Sequence, residues 1–366
     1  MRIASNTLVV GVLFLVVPAC SSSSGGSSPP ASDAGADSGN GGAQACAAEA
    51  QAICAARDRC SSNTFLNDYD YGGDTACVTR SQITCVNAFG AKGSGTTTAT
   101  IAACTAAYPS YTCTNYFDGN PPTACVPPAG TLANGQPCGA NAQCQSTFCA
   151  TGAFAVCGTC QPLPAAGAAC QVNADCGRDL DCVKPAGATS TTMGVCTAYA
   201  ASGAACLTYK TPCEAGLACV GDDTTTGATG TCQTAGATTG AACDASRKTA
   251  ANCNADLGLI CIPAMKGSEV GTCQAITLAM PGAMCGYTGS DPVTGYVDCQ
   301  VGYCQRATND AGVEAPTGTC IALVSDTGAC SLASTSPGCI GPAKCVPSSA
   351  GAMTGTCTVP NASTCM

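Results

Sequence analysis

Cysteine recurs through this chain at almost one residue in ten, 35 of 366, so cross-links or metal must hold its fold before any core does. Ordering the backbone costs roughly 1 to 2 kcal/mol per residue. With 4% aromatic residues, no Trp and much Ala, there is little large side-chain burial to offset that cost. Gly and Pro, at 44 and 21, point to many turns. Metal is the poorer reading of the cysteines. The chain has no His, and Cys-only zinc sites use paired C-x2-C knuckles, a spacing found only at Cys157-Gly-Thr-Cys160. Disulfides in an oxidising compartment are expected, with no metal and no other cofactor.

The N-terminus carries an export signal. Arg2 precedes an apolar stretch, Leu8 to Val17, that is too short to span a bilayer. Residues 1–19 read as a signal peptide. Val17-Pro18-Ala19-Cys20 resembles the lipobox of bacterial lipoproteins, in which diacylglycerol is attached to the cysteine sulfur, here Cys20. Pro18 departs from the commonest residues at its place, and Val17 with Ala19 would also suit ordinary cleavage after Ala19. Parity favours the lipid, because setting Cys20 aside leaves 34 cysteines, which can pair completely. Residues 20–43 then form the lipidated N-terminus and a Ser/Gly/Pro tether. By the same resemblance, Ser21 after the lipidated cysteine implies the outer membrane or cell surface of a Gram-negative bacterium.

From 44 to 128 the sequence favours helix. Gln44 to Cys60 contains neither Gly nor Pro, and Cys46, Ala50, Ile53 and Cys54 share one helical stripe. Further helices are expected over Thr75 to Phe89, after Asp74 as N-cap, and over Thr98 to Tyr108 before Pro109. Cys77 and Cys85 repeat the eight-residue separation of Cys46 and Cys54. This stapled helical domain contains eight cysteines, Cys46, Cys54, Cys60, Cys77, Cys85, Cys104, Cys113 and Cys125, whose pairing spacing alone does not decide.

After Pro127-Pro128 the chain repeats. Gly-Ala-Ala-Cys begins units at 167, 203 and 240, with relatives at Gly135, Gly282 and Gly328, and Gly-x-Cys closes units at Cys196, Cys232, Cys273, Cys320 and Cys357. Each unit has four cysteines and a hairpin whose two strands are the run around the third cysteine and the closing run. Residues 129–200 contain Cys138, Cys144, Cys149, Cys157, Cys160, Cys170, Cys176, Cys182 and Cys196. Four further repeats over 201–366 contain Cys206, Cys213, Cys219, Cys232, Cys243, Cys253, Cys261, Cys273, Cys285, Cys299, Cys304, Cys320, Cys330, Cys339, Cys345 and Cys357, with Cys365 beyond them. The fold class is therefore small disulfide-rich modules in series, a helical domain followed by short β-hairpin repeats.

The spacing from Cys138 to Cys196 resembles the N-terminal cysteine-rich domain of the Dickkopf family. The family has an adjacent cysteine pair where Gly177 follows a single Cys176, so nine cysteines stand where the family has ten. Cys365 or a bridge between units is expected to satisfy the odd member. The resemblance transfers no functional residue.

Catalytic chemistry has little to stand on. The usual general base, His, is absent. The tight carboxylate clusters, Asp68 with Asp70 and Asp222 with Asp223, read as solvated turn residues, and neither has the ligand spacing of a calcium loop. Cys157 and Cys160 could form a redox pair, but a structural bridge is the better expectation. Tyr69, Tyr71, Tyr116 and Phe117 read as core filling ahead of a binding patch. A formal charge of -9 with scattered basic residues excludes nucleic acid as a partner. The expectation is a non-catalytic, surface-anchored lipoprotein for interaction, adhesion or envelope structure. Its partners would be the membrane, through the lipid, and a protein or glycan that the sequence does not identify. The alternative is a secreted or anchored disulfide-rich enzyme inhibitor or enzyme.

Overall fold

A computed structural model describes residues 41–62, 64–188, 192–265, 267–289, 293–308, 314–332, 338–349 and 351–365. The leader, Cys20 and most of the tether lie outside the described residues.

The N-terminal region is a helical hub of α1 (Gly41–Cys60), α2 (Phe65–Tyr71), α3 (Asp74–Gly90), α4 (Thr98–Ala107) and α5 (Cys113–Phe117). The stripe on α1 is buried as its spacing requires, with Cys46, Ala50, Ile53 and Cys54 each at most 5% exposed. Bridges Cys46–Cys85 and Cys54–Cys77 cross-link α1 and α3. Equal eight-residue separations, about 12 Å of helix, set the two helices antiparallel and staple them twice. Cys60–Cys113 and Cys104–Cys125 tie α5 and α4 into the same core. Thr97 caps α4, accepting from the Thr100 N–H at 3.2 Å. Asp74 is the first residue of α3, and Gly73 is its N-cap. The helices α2 and α5 lie outside the sequence expectation. The Asp- and aromatic-rich run of α2 has weak propensity and is held by tertiary hydrogen bonds.

Six small, largely antiparallel β-sheet units follow among the described residues. In each, the first cysteine bridges the third and the second bridges the fourth: Cys138–Cys149 and Cys144–Cys160; Cys170–Cys182 and Cys176–Cys196; Cys206–Cys219 and Cys213–Cys232; Cys243–Cys261 and Cys253–Cys273; Cys285–Cys304 and Cys299–Cys320; Cys330–Cys345 and Cys339–Cys357. The cystines are the core of each unit, as in unit 4, where Cys243, Cys253, Cys261 and Cys273 pack with Leu259. The expected hairpin is present, with the third and fourth cysteines directly opposite, for example Cys261 and Cys273. A third strand, around the first cysteine, pairs with the other edge of the closing strand, so each unit is three-stranded at least. Unit 5 gains two more strands, one of them the parallel strand Thr277–Ala279.

Both glycine signatures have physical causes. In Gly-x-Cys the glycine faces the first cysteine across the sheet, as Gly271 faces Cys243. A Cβ at any of the six positions, Gly158, Gly194, Gly230, Gly271, Gly318 or Gly355, would lie 1.9 to 2.7 Å from a carbonyl oxygen of the middle strand. The glycine that opens Gly-x-x-Cys is needed for conformation instead. Gly135, Gly167, Gly203, Gly240 and Gly282 have φ from 79° to 89°, and each N–H donates to the carbonyl of its unit's fourth cysteine at 2.8 to 2.9 Å. Unit 6 breaks the pattern, because Thr327, not Gly328, takes this position, with φ 64° and the same bond to the Cys357 carbonyl at 2.8 Å. Thr327→Gly is therefore expected to stabilise the protein by about 0.5 to 1 kcal/mol, left-handed strain relieved less the added freedom of the unfolded chain. Denaturant unfolding under non-reducing conditions checks this, and an unchanged or lower midpoint refutes it.

The units encircle the hub. Units 2 to 6 touch it through the segment between their second and third cysteines. In unit 2, Asp179 N–H donates to Asn120 Oδ1 at 2.7 Å, and Asn120 Nδ2 returns a bond to the Asp179 carboxylate at 2.8 Å. In unit 3, Ala215 N–H donates to Asp118 at 2.8 Å. In unit 4, Gly258 lies against the Phe65 ring, with no room for a Cβ. In unit 5, Val301 N–H donates to the Tyr69 carbonyl at 2.8 Å. In unit 6, Arg80 forks onto Asp326 at 2.6 and 2.8 Å and also donates to the Ile340 and Gly341 carbonyls at 2.7 and 2.6 Å. Unit 1 docks on the α3–α4 connection, where Gln143 Nε2 donates to the Lys92 carbonyl at 2.9 Å.

The circuit closes on itself. Lys344 of unit 6 donates to Thr151 Oγ1 and the Gly152 carbonyl of unit 1 at 2.7 and 2.9 Å, and Cys157 of unit 1 bridges Cys365. That bridge supplies the partner of the odd cysteine between 138 and 160. It also removes the redox reading of Cys157 and Cys160. Those two do not pair with each other, since Cys160 bridges Cys144 within its unit.

Candidate functional site

The carboxylates singled out in the sequence are dispersed by the fold. Asp68 and Asp70 belong to helix α2 and are half-buried, which corrects their reading as solvated turn residues. Asp70 forms an ion pair with Arg57, and burial pushes its carboxyl up while Arg57 pulls it part of the way back. Asp68 accepts from Thr64 at 2.7 Å. Asp222 is similarly fixed, accepting from the Thr208 N–H at 2.8 Å, whereas Asp223 is a true solvated turn residue that accepts from Thr225 N–H at 2.8 Å.

Arg57 organises the hub interior. Its Nε donates to Asn67 Oδ1 at 2.8 Å, Nη1 to the Tyr116 hydroxyl at 2.7 Å and Nη2 to the Leu66 carbonyl at 2.9 Å, and Cζ lies 5.1 Å from the Tyr71 ring centre. Of the aromatics expected as core or patch, Tyr71, Tyr116 and Phe117 pack around this network, with Phe117 edge-on to Tyr116, whereas Tyr69 stacks on Phe65 at the contact with units 4 and 5. The arrangement positions helices. Its charged groups are spent on one another inside the hub. The sulfurs of Cys243, Cys253 and Cys261 lie within 4.8 Å of one another, as do comparable trios in other units, but every one is bridged, which leaves no thiolate for a metal.

Among the described residues, two outward-facing features stand out. One is a groove of about 730 Å³ between α3 and the segment after unit 6, lined in part by Ile83, Val86, Val359 and Pro360. The other is the set of segments between the middle and closing strands of units 2, 3, 4 and 6, described at 184–188, 192–193, 221–229, 264–265, 267–269, 348–349 and 351–353. Each follows the middle strand whose preceding segment meets the hub, so hub contact and loop stand at opposite ends of one strand. Their lengths run from six to ten residues on a frame of constant bridging. Met193, Met265 and Met353, in three of these loops, are 52 to 65% exposed, an unusual placement for a thioether that would otherwise fill a core. The corresponding loop of unit 1, 151–157, is occupied by closure of the circuit and by the Ala153 N–H bond to Gln171 at 3.0 Å.

The seam between hub and units is acidic. Asp118 is buried, and burial, with Glu214, Asp256 and Asp179 nearby, pushes its carboxyl up to about 6. Burial alone pushes Asp256 up to about 6, and burial with Asp74 alongside does the same for Asp58. A carboxyl raised in the folded state binds its proton more tightly there than in the unfolded chain. The stability it contributes is full below about pH 4 and is lost as pH rises through about 6. Asp244, held down to about 2 by bonds from Ser246 and Thr249 that outweigh its desolvation, loses its contribution only well below this window. The protein is therefore expected to be more stable at pH 4.5 than at pH 7, by roughly 1 kcal/mol once solvent screening is allowed for. Denaturant midpoints across this range test the sign, and a midpoint that falls on acidification refutes it.

Among the described residues no helix is long and apolar enough to cross a membrane. Seventeen bridges place the chain among exported or extracellular proteins. No family model matches the chain, and no curated protein or solved structure matches it.

Proposed function

We propose that the protein is a non-catalytic, surface-anchored lipoprotein whose ring of cystine units presents loops to a protein or glycan partner in interaction, adhesion or envelope structure. The observation that carries this reading is the division of labour along the middle strands of units 2, 3, 4 and 6. One end is spent on the hub, and the other leads into a loop of variable length and composition on a constant frame. Such a scaffold tolerates change in its loops without loss of fold, the property of a recognition surface. The lipobox-like Val17-Pro18-Ala19-Cys20 supports an anchor on the outer membrane, with the tether lifting the hub away from it. The Dickkopf-like spacing supports a stapled recognition module and brings no partner with it.

The test is made on Gram-negative cells producing the full chain or its Cys20→Ala variant. The mature protein should start at Cys20, exceed its polypeptide mass by a lipid, and take up alkylating agent at 34 cysteines only after reduction. Cells with the anchored chain should be retained on protein- or glycan-coated surfaces more than cells with the variant. An unlipidated Cys20 overturns the anchor, and equal retention overturns the adhesive role.

A further inference from the structure

One bridge differs in kind from the others. Sixteen of the described disulfides close within the hub or within one unit, across 11 to 53 residues. Cys157–Cys365 spans 208 residues and joins unit 1 to the segment after unit 6. Cys157 is one of four half-exposed bridged cysteines, with Cys113, Cys213 and Cys304. What would hold each pair of thiols together after reduction separates these four. Cys213 and Cys304 sit in units whose second, interlaced bridge and sheet hydrogen bonds keep the partner close. Cys113 begins α5, which is pinned by the Tyr116–Arg57 bond. Cys157 lies in a loop, and Cys365 follows the short turn Ala362–Thr364, held by Ala362 N–H on Asn87 Oδ1 at 2.5 Å and by packing of Ala362 against Gly139, while among the described residues Lys344 alone bonds unit 6 to the loop of Cys157. Its thiols therefore have the lowest effective concentration for re-closure, and a disulfide's resistance to reduction scales with that concentration.

We propose that Cys157–Cys365 is a reducible clasp on the ring, the bridge a dithiol reductant opens first, and that opening it releases unit 6 and the 359–365 segment from unit 1. One thiolate of the reductant attacks the half-exposed Cys157 sulfur, forming a mixed disulfide and expelling the Cys365 thiolate. The second thiol of the reductant then attacks its own mixed-disulfide sulfur and expels the Cys157 thiolate. The reductant leaves as a disulfide, and two electrons and two protons end on the two cysteines. The hub and all six units keep their own bridges.

Dithiothreitol is the probe. The full chain is equilibrated with increasing concentrations, quenched with iodoacetamide and mapped by peptide mass, and its radius of gyration is followed by X-ray scattering. Cys157 and Cys365 are expected to label together at a concentration about tenfold below that needed for any other pair, with a larger radius at that stage. A Cys157→Ser/Cys365→Ser variant should have the larger radius without reductant. Earlier or simultaneous labelling of Cys113, Cys213 or Cys304 would overturn the proposal, as would first-stage labelling of the clasp with an unchanged radius in wild type. The wild-type titration decides even if the variant folds poorly.

Discussion

Replacing Arg57 by Met is expected to cost roughly 3 to 5 kcal/mol and to loosen the hub as a whole. The guanidinium is the shared donor for Asn67, Leu66, Asp70 and Tyr116, contributed by α2 and α5, and it is itself a residue of α1. A methionine of similar length fills the space and leaves the Asp70 carboxylate without its cation inside protein. Burial already raises that carboxyl, so in the variant Asp70 should take up a proton well above the usual carboxylate range. Denaturant unfolding with bridges intact measures the loss. The second signature is a variant whose deficit shrinks on acidification, because the carboxyl is then neutral in the unfolded chain as well. Asp70→Asn with Arg57→Met should recover part of the loss, and no recovery would mean that packing, not charge, carries the effect.

Cys243→Ala with Cys261→Ala should be nearly as severe for unit 4 and almost silent elsewhere. The 18-residue loop closed by this bridge constrains the unfolded state by about 3 kcal/mol, and the same two sulfurs make up much of the unit's core. With Cys253–Cys273 alone, the first strand is tied to the sheet only by its hydrogen bonds to the closing strand. Amide exchange should therefore accelerate across 242–275 and remain slow in α1 and α3, which are stapled independently. The segment Leu257–Gly258 would leave Phe65, exposing one side of α2. Uniform loss of protection over the whole chain would show instead that the ring unfolds as one cooperative body.

Much of the unit architecture could be read in the sequence because its causes are local and repeated. A glycine whose Cβ would strike the neighbouring strand, and a glycine in a left-handed turn, recur with their cysteines six and five times, so periodicity exposes them. The substitution at Thr327 hides for the same reason: Gly328 beside it mimics the motif one residue out of place. The α1 stripe was legible too, and Arg57, four residues after Ile53 and three after Cys54, falls on it. A charged residue on a buried stripe is the signal that marks the network, and composition alone conceals it. Asp68 and Asp70 looked like turn residues because helix propensity is low around them, and it is Arg57, Asn67 and Gly72 that make their segment helical. The arrangement of units around the hub has no periodic trace. Each contact is one polar side chain or backbone group meeting a different hub residue, Asn120, Asp118, Phe65, Tyr69 or Arg80.

Those five different docking residues also limit how the molecule can evolve. An open solenoid lengthens by duplicating a repeat, since every repeat meets only copies of itself. Here a duplicated unit would find no hub residue waiting for it and would hold Cys365 away from Cys157. The count of units is thus locked by the circumference of the hub, and inherited variation is confined to the loops and to the linkers between bridges. Variants should differ widely in the 184–193 and 221–229 segments and hardly at all in how many turns of the motif they contain.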